Sequence, residues 1–115
     1  MLKCEAVSAT YGAMGVLHQV SLEIAEKEFV ALIGAHSAGK TTLLKTISGL
    51  LRPVRGEVTF QGSRLSVLRP HEIVHLGIVL IPEGRWIFPE MTVHENLMMG
   101  GYNSRAKPNR EANLA

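Results

Sequence analysis

The stretch ALIGAHSAGKTTLLKTISGL, residues 31–50, decides the fold. With Phe29 and Val30 it opens as a short unbroken apolar run, FVALIG (29–34), the pattern of a strand buried on both faces of a parallel sheet. It closes as KTTLLKTISGL (40–50), which sets Leu43, Leu44, Ile47 and Leu50 at helical spacing, with Gly49 and Pro53 as stop signals. Between strand and helix, Gly34, Ala35, His36, Ser37, Ala38, Gly39, Lys40 and Thr41 match G-x-x-x-x-G-K-[ST] at every fixed position. Each fixed residue has a physical reason. Gly34 and Gly39 let the backbone curl so that its N–H groups face phosphate oxygens, and the helix from Lys40 aims its positive end at the same anion. Lys40 can reach the outer phosphates, and the Thr41 hydroxyl can ligate Mg2+. The bland alternative is a glycine turn with an exposed lysine. A strand before the loop and an amphipathic helix after it favour the phosphate site.

Outward from this loop, the chain reads as alternating short elements. Residues 2–10 and HQVSLEIA (18–25) are predicted strands, the second with Val20, Leu22 and Ile24 alternating with Ser21 and Glu23. GEVTF (56–60) is another alternating strand and QGS (61–63) a turn. Pro70 suits the first position of a helix over HEIVHL that Gly77 closes, with Ile73 and Leu76 turned inward. GIVLIP (77–82) is a second fully apolar strand, and EGRWIFPEM (83–91) a loop. TVHENLMMGG (92–101) reads as a helix with Thr92 as N-cap and Glu95 closing a capping box, and another helix begins near Asn109.

The bulk properties exclude several classes. The 115 residues make one small domain at most, and 46% are hydrophobic, the share of a globular protein and not of a disordered one. Twelve basic and 10 acidic side chains give a net charge of +2, with no basic run or stripe for nucleic acid. The single cysteine, Cys4, allows no internal disulfide and points to the cytosol as compartment. The N-terminus carries no secretory signal pattern, and no apolar run approaches the length of a membrane span. Work at a membrane would therefore proceed through a partner.

A competing motif lies at HEIVH, residues 71–75, which fits H-E-x-x-H. On a helix, His71 and His75 share a face as two zinc ligands would, with Glu72 as general base. The helix is short, a third ligand is missing from the pattern, and a solvated helical face is the simpler account.

The chain resembles the ATP-binding subunits of ABC transporters, most of all those of bacterial branched-chain amino-acid importers. The residues that carry the resemblance are MLK at the start with YG at 11–12, ALIGAHSAGKTTLLKTISGLLRP (31–53) and IPEGRWIFPEMTVHENL (81–97). The resemblance implies an α/β fold of the P-loop NTPase type, in which this chain is the N-terminal part: an antiparallel β subdomain and the start of the parallel-sheet ATP-binding core. It implies ATP and Mg2+ as cofactors, transmembrane permease subunits and a second ATP-binding subunit as partners, and a place on the inner face of the cell membrane. It also implies roles. Tyr11 would stack on adenine, residues 34–41 would hold phosphates and metal, and Thr42 would add a phosphate contact. Glu83 would sense the γ-phosphate and its metal, and Trp86, Ile87 and Phe88 would face the permease.

Two departures from that family stand out. His36 and Ser37 occupy positions where the family usually has Asn and Gly. A β-carbon at Ser37 costs roughly 1–2 kcal/mol if the residue must be left-handed, so weaker nucleotide binding is expected. Hydrolysis in the family further needs an Asp and a Glu after a second core strand, a signature motif and a late His; these 115 residues hold no Asp at all. The expectation is a partial domain, 1–115, from a truncated or interrupted ATPase, which binds ATP without hydrolysing it. Three function classes follow: an importer ATP-binding subunit or part of one, a non-catalytic nucleotide-binding or assembly fragment, and a small-molecule P-loop kinase, for which no second motif speaks.

Overall fold

The computed structural model describes residues 1–84 and 86–114; Arg85, within the loop quoted above, and Ala115 lie outside the described residues. The chain divides into two compact units, Met1–Leu80 and Ile81–Ala115.

The first unit is built on an antiparallel sheet of β1 (Leu2–Tyr11), β2 (Met14–Ile24), β3 (Arg55–Phe60) and β4 (Ser63–Arg64), in the order β2-β1-β3-β4. On one side β1 pairs with β2, from Leu2 opposite Ile24 to Tyr11 opposite Met14. On the other it pairs with β3, from Leu2 opposite Phe60 to Ser8 opposite Arg55. Simple alternation breaks in the middle of β1. Cys4 and Val7 are both buried because the register shifts between them, and Ala6 takes φ 47 there. Two hydroxyls replace the ladder bonds that the irregularities lose. Ser21 Oγ accepts the N–H of Ala6 at 2.9 Å, and Ser8 Oγ accepts that of Gln19 at 3.0 Å. Gly56 crosses this bulge at φ 80, where a Cβ would lie 2.4 Å from the carbonyl oxygens of both Glu5 and Ala6. Only glycine fits.

The core joins strand residues Cys4, Val7, Ala9, Leu17, Val58 and Phe60 to Leu43 and Ile47 of α1 (Lys40–Ile47). Leu65, from the 3-10 turn Leu65–Val67, and Ile73, from α2 (Pro70–Leu76), complete it. Burial pushes the Cys4 thiol up to about 11, so it serves as packing and not as a nucleophile. Glu57 ties β3 to β4 and the turn after it. Partial burial pushes its carboxyl up, but hydrogen bonds from Ser66 and from Arg64 Nε at 2.6 Å outweigh this and hold it below the usual range.

Two expectations change. Helix α1 ends at Ile47, and the N–H groups of Leu50 and Leu51 both donate to the Lys45 carbonyl. The inward stripe is therefore Thr42, Leu43, Thr46 and Ile47, and Leu44 and Leu50 are exposed. The stretches 29–34 and 77–82, expected as parallel strands, form no strand, and Phe29 and Ile33 are 93% and 91% exposed. A strand exists through its ladder, and among the described residues neither stretch has a pairing neighbour.

The second unit carries α3 (Val93–Gly100), a 3-10 turn Lys107–Asn109 and α4 (Arg110–Leu114). The capping box forms as expected: Thr92 Oγ1 accepts the Glu95 N–H at 3.2 Å, and Glu95 Oε2 accepts the Thr92 N–H at 2.8 Å. No helix among the described residues is long and apolar enough to cross a membrane.

Candidate nucleotide site and an apolar loop

The loop of residues 34–39 runs straight into α1, and its backbone turns left-handed twice, at Ser37 (φ 63) and Gly39 (φ 97). Gly39 is required on a second count. A Cβ there would sit 2.8 Å from Leu17 Cδ2 and 3.3 Å from the Val16 carbonyl oxygen, so the loop meets β2 only through a bare α-carbon. Gly34 behaves differently from expectation: it is not left-handed, and a Cβ would make an ordinary 3.4 Å contact with Ala38 Cβ. The Ala38 N–H closes the turn on the Ala35 carbonyl at 3.2 Å.

Lys40 folds back over the loop. Its ammonium donates to the carbonyls of Gly34 at 2.7 Å and Ala35 at 2.6 Å, so a positive charge is fixed over the loop's opening residues. The first turn of α1 holds no acidic residue and no side chain caps it. Its N–H groups have no acceptor within the helix, and their dipole is left unneutralised. Both features are what an anion needs. Ala35, His36, Ser37, Ala38 and Thr41 are exposed there. Thr42 is buried, and its carbonyl accepts the Thr46 hydroxyl at 2.8 Å. Thr42 thus lies on the inward stripe of the helix, in the turn that carries the unpaired N–H groups.

Tyr11 ends β1 and is 45% exposed. The Lys45 ammonium stands over its ring, 6.0 Å from the centroid, at the outer limit of a cation–π contact. Lys45 lies one helical turn beyond Thr41; sequence reasoning passed over it because a basic residue in a last helical turn has a sufficient reason in the helix dipole.

Glu83, Trp86, Ile87 and Phe88 belong to the second unit. Glu83 is exposed, and its carbonyl accepts the Trp86 indole N–H at 2.8 Å. Trp86, Ile87 and Phe88 are exposed, Trp86 at 79%, and line an open groove of about 700 Å³ with Met91, Val93 and Leu97 of the same unit. Asn96 anchors this loop. Its Oδ1 accepts the Phe88 N–H at 2.9 Å, and its Nδ2 donates to the carbonyls of Phe88, Met91 and Thr92 at 3.0–3.1 Å. Sequence reasoning missed it. The available signal was a short polar amide in a helix interior, where it lowers helix propensity unless it bonds locally.

Among the described residues, the HEIVH helix is not part of any group of side chains that could hold a metal ion. Glu72 is engaged by Arg69, whose N–H it accepts at 2.7 Å and whose guanidinium holds its carboxyl below the usual range. His75 Nδ1 donates to the His71 carbonyl at 2.6 Å, and among the described residues no three His, Cys, Asp or Glu side chains group to hold an ion.

Comparison with known proteins identifies the family and the fold. The family model described as ABC transporter matches residues 17–115. The high-affinity branched-chain amino acid transport ATP-binding protein BraG of Pseudomonas aeruginosa is 43% identical over 89% of this chain and 44% of its own length. The ribose import ATP-binding protein RbsA 1 of Streptomyces coelicolor is 37% identical over 92% of this chain and 21% of its own length. The fold is similar to that of a bacterial ABC transporter cassette solved as a dimer, with a TM-score of 0.79 and 27% identity over 99% of this chain and 54% of that one. The chain spans less than half the length of these curated relatives.

Proposed function

The chain belongs to the ABC transporter family, and from that premise we propose that it is the N-terminal part of an importer's ATP-binding domain, which holds Mg-ATP in the loop of residues 34–42. The observation that carries the reading is Lys40, whose ammonium is fixed over the loop beside an α1 N-terminus free of acidic side chains. The backbone N–H groups of residues 35–42 other than Ala38, with the Lys40 ammonium, would hold the phosphates, and the Thr41 hydroxyl would ligate Mg2+. Tyr11, with one ring face near Lys45, would offer its exposed side to adenine. Bound there, Mg-ATP supplies the γ-phosphate whose cleavage drives transport in a complete transporter. The chain's own share is binding: with no Asp in its 115 residues it lacks the metal-orienting carboxylate, and Glu83 is its candidate for sensing the γ-phosphate.

The transported substrate in this proposal is a branched-chain amino acid. BraG, at 43% identity, supports it; the ribose import protein, at 37%, keeps sugar uptake as the competing class. The partners are a second ATP-binding subunit and a permease on the inner face of the membrane, met through Trp86, Ile87 and Phe88, which are exposed apolar side chains rimming one groove. Retention of the chain on detergent-solubilised permease subunits tests this. Retention by a branched-chain amino-acid permease pair and not by a ribose permease is expected. Retention by the ribose permease alone would reassign the substrate class, and retention by neither would overturn the importer reading.

A further inference from the structure

The loop of residues 86–91 has little to hold it in shape. Trp86, Ile87 and Phe88 point largely into solvent, so no hydrophobic core fixes it. Among the described residues, its one backbone turn bond runs from the Met91 N–H to the Phe88 carbonyl at 3.1 Å. The Trp86 indole N–H adds a bond to the Glu83 carbonyl at 2.8 Å, before the loop, and the Asn96 amide holds the other end. It engages both polar groups of the Phe88 backbone and the carbonyls of Met91 and Thr92. The orientation of the amide follows from its partners, since an N–H faces one end and three carbonyls the other. Helix α3 does not need this side chain, because Thr92 and Glu95 cap it. The cost of an asparagine inside the helix is thus matched to the loop.

We propose that Asn96 is the positioning residue of the apolar loop 86–91, holding Phe88 and the groove beside it in one shape. Its purpose rests on the permease contact proposed above; its geometry does not. Amide hydrogen exchange on the full chain tests it. Asn96→Ala removes every bond, and Asn96→Asp keeps an acceptor for Phe88 but loses both donor protons facing the three carbonyls. In Asn96→Ala the Phe88 and Met91 amides are expected to exchange at least about tenfold faster, and in Asn96→Asp the Met91 amide does so while Phe88 keeps its acceptor; in both, the amides of residues 97–100 stay within about twofold of wild type. Asn103→Ala, which removes the amide that accepts the Ala106 N–H at 2.8 Å in the same unit, is expected to leave Phe88 unchanged. Unchanged Phe88 exchange in Asn96→Ala would overturn the proposal, as would loss of α3 protection alongside the loop's, which would make Asn96 a helix residue only. Permease retention separates the two levels. If the wild-type chain is not retained, the importer reading fails and the exchange data still decide Asn96. If Asn96→Ala frees the loop yet is retained as strongly as wild type, Asn96 does not position the loop for docking.

Discussion

Ser37 is one of the loop's two left-handed positions, with φ 63, and the only one of the two that is not glycine. The condition set by the sequence is met: a β-carbon stands where glycine is favoured, at roughly 1–2 kcal/mol. Ser37→Gly is therefore expected to raise the unfolding midpoint by the equivalent of about 1 kcal/mol in denaturant titration, and to tighten Mg-ATP binding several-fold. Unchanged stability would mean that the Ser37 side chain recovers the strain through contacts of its own. Gly39 shows how much of such a site is legible. Its place in the pattern was plain from the sequence, while its second reason, that a Cβ there would lie 2.8 Å from Leu17 Cδ2, required the fold. Asn96 was not legible, since a helical pattern says nothing of what a side chain reaches on a preceding loop.

At the scale of elements, sequence periodicity served best where structure is local. Helix α2 begins at Pro70 and α3 at the Thr92 cap, as their start signals require. The bulge at Ala6 had no glycine to announce it; the Ser21 hydroxyl accepts its N–H from across the sheet, and the Ser8 hydroxyl on its own strand accepts that of Gln19, so simple alternation could not find it. The capping box also sets a pH dependence. The Thr92 N–H, and then its hydroxyl, hold the Glu95 carboxyl below the usual range. A depressed folded pKa gives stability that is present above the unfolded value of about 4.3 and is lost as pH falls through the folded one. The α3 amide signals should accordingly hold from pH 7 to about 5 and shift toward unfolded values below about 4, a change that Glu95→Gln should largely abolish. A titration identical in Glu95→Gln would assign the transition to another group.

For the whole molecule, three of the four sheet strands were legible from alternation and their antiparallel arrangement from the family resemblance, while β4 and the early start of β2 at Met14 were not. The apolar runs 29–34 and 77–82 read as buried strands, but burial belongs to an assembly of strands, and no run can supply its own neighbours. Phe29, Ile33, Val79 and Ile81 stand exposed in consequence. The chain covers less than half of its curated relatives' length, and the loop, α1 and Tyr11 of the proposed site all lie within Met1–Leu80.

The central claim is that the loop under Lys40 binds Mg-ATP in this chain. Isothermal titration of Mg-ATP into the 115-residue chain and into Lys40→Ala, with phosphate release followed in the same samples, tests it most directly. The account predicts saturable, Mg-dependent binding by the wild type, its loss in Lys40→Ala, and no phosphate release by either. Absence of binding in the wild type, or equal binding in Lys40→Ala, would contradict it.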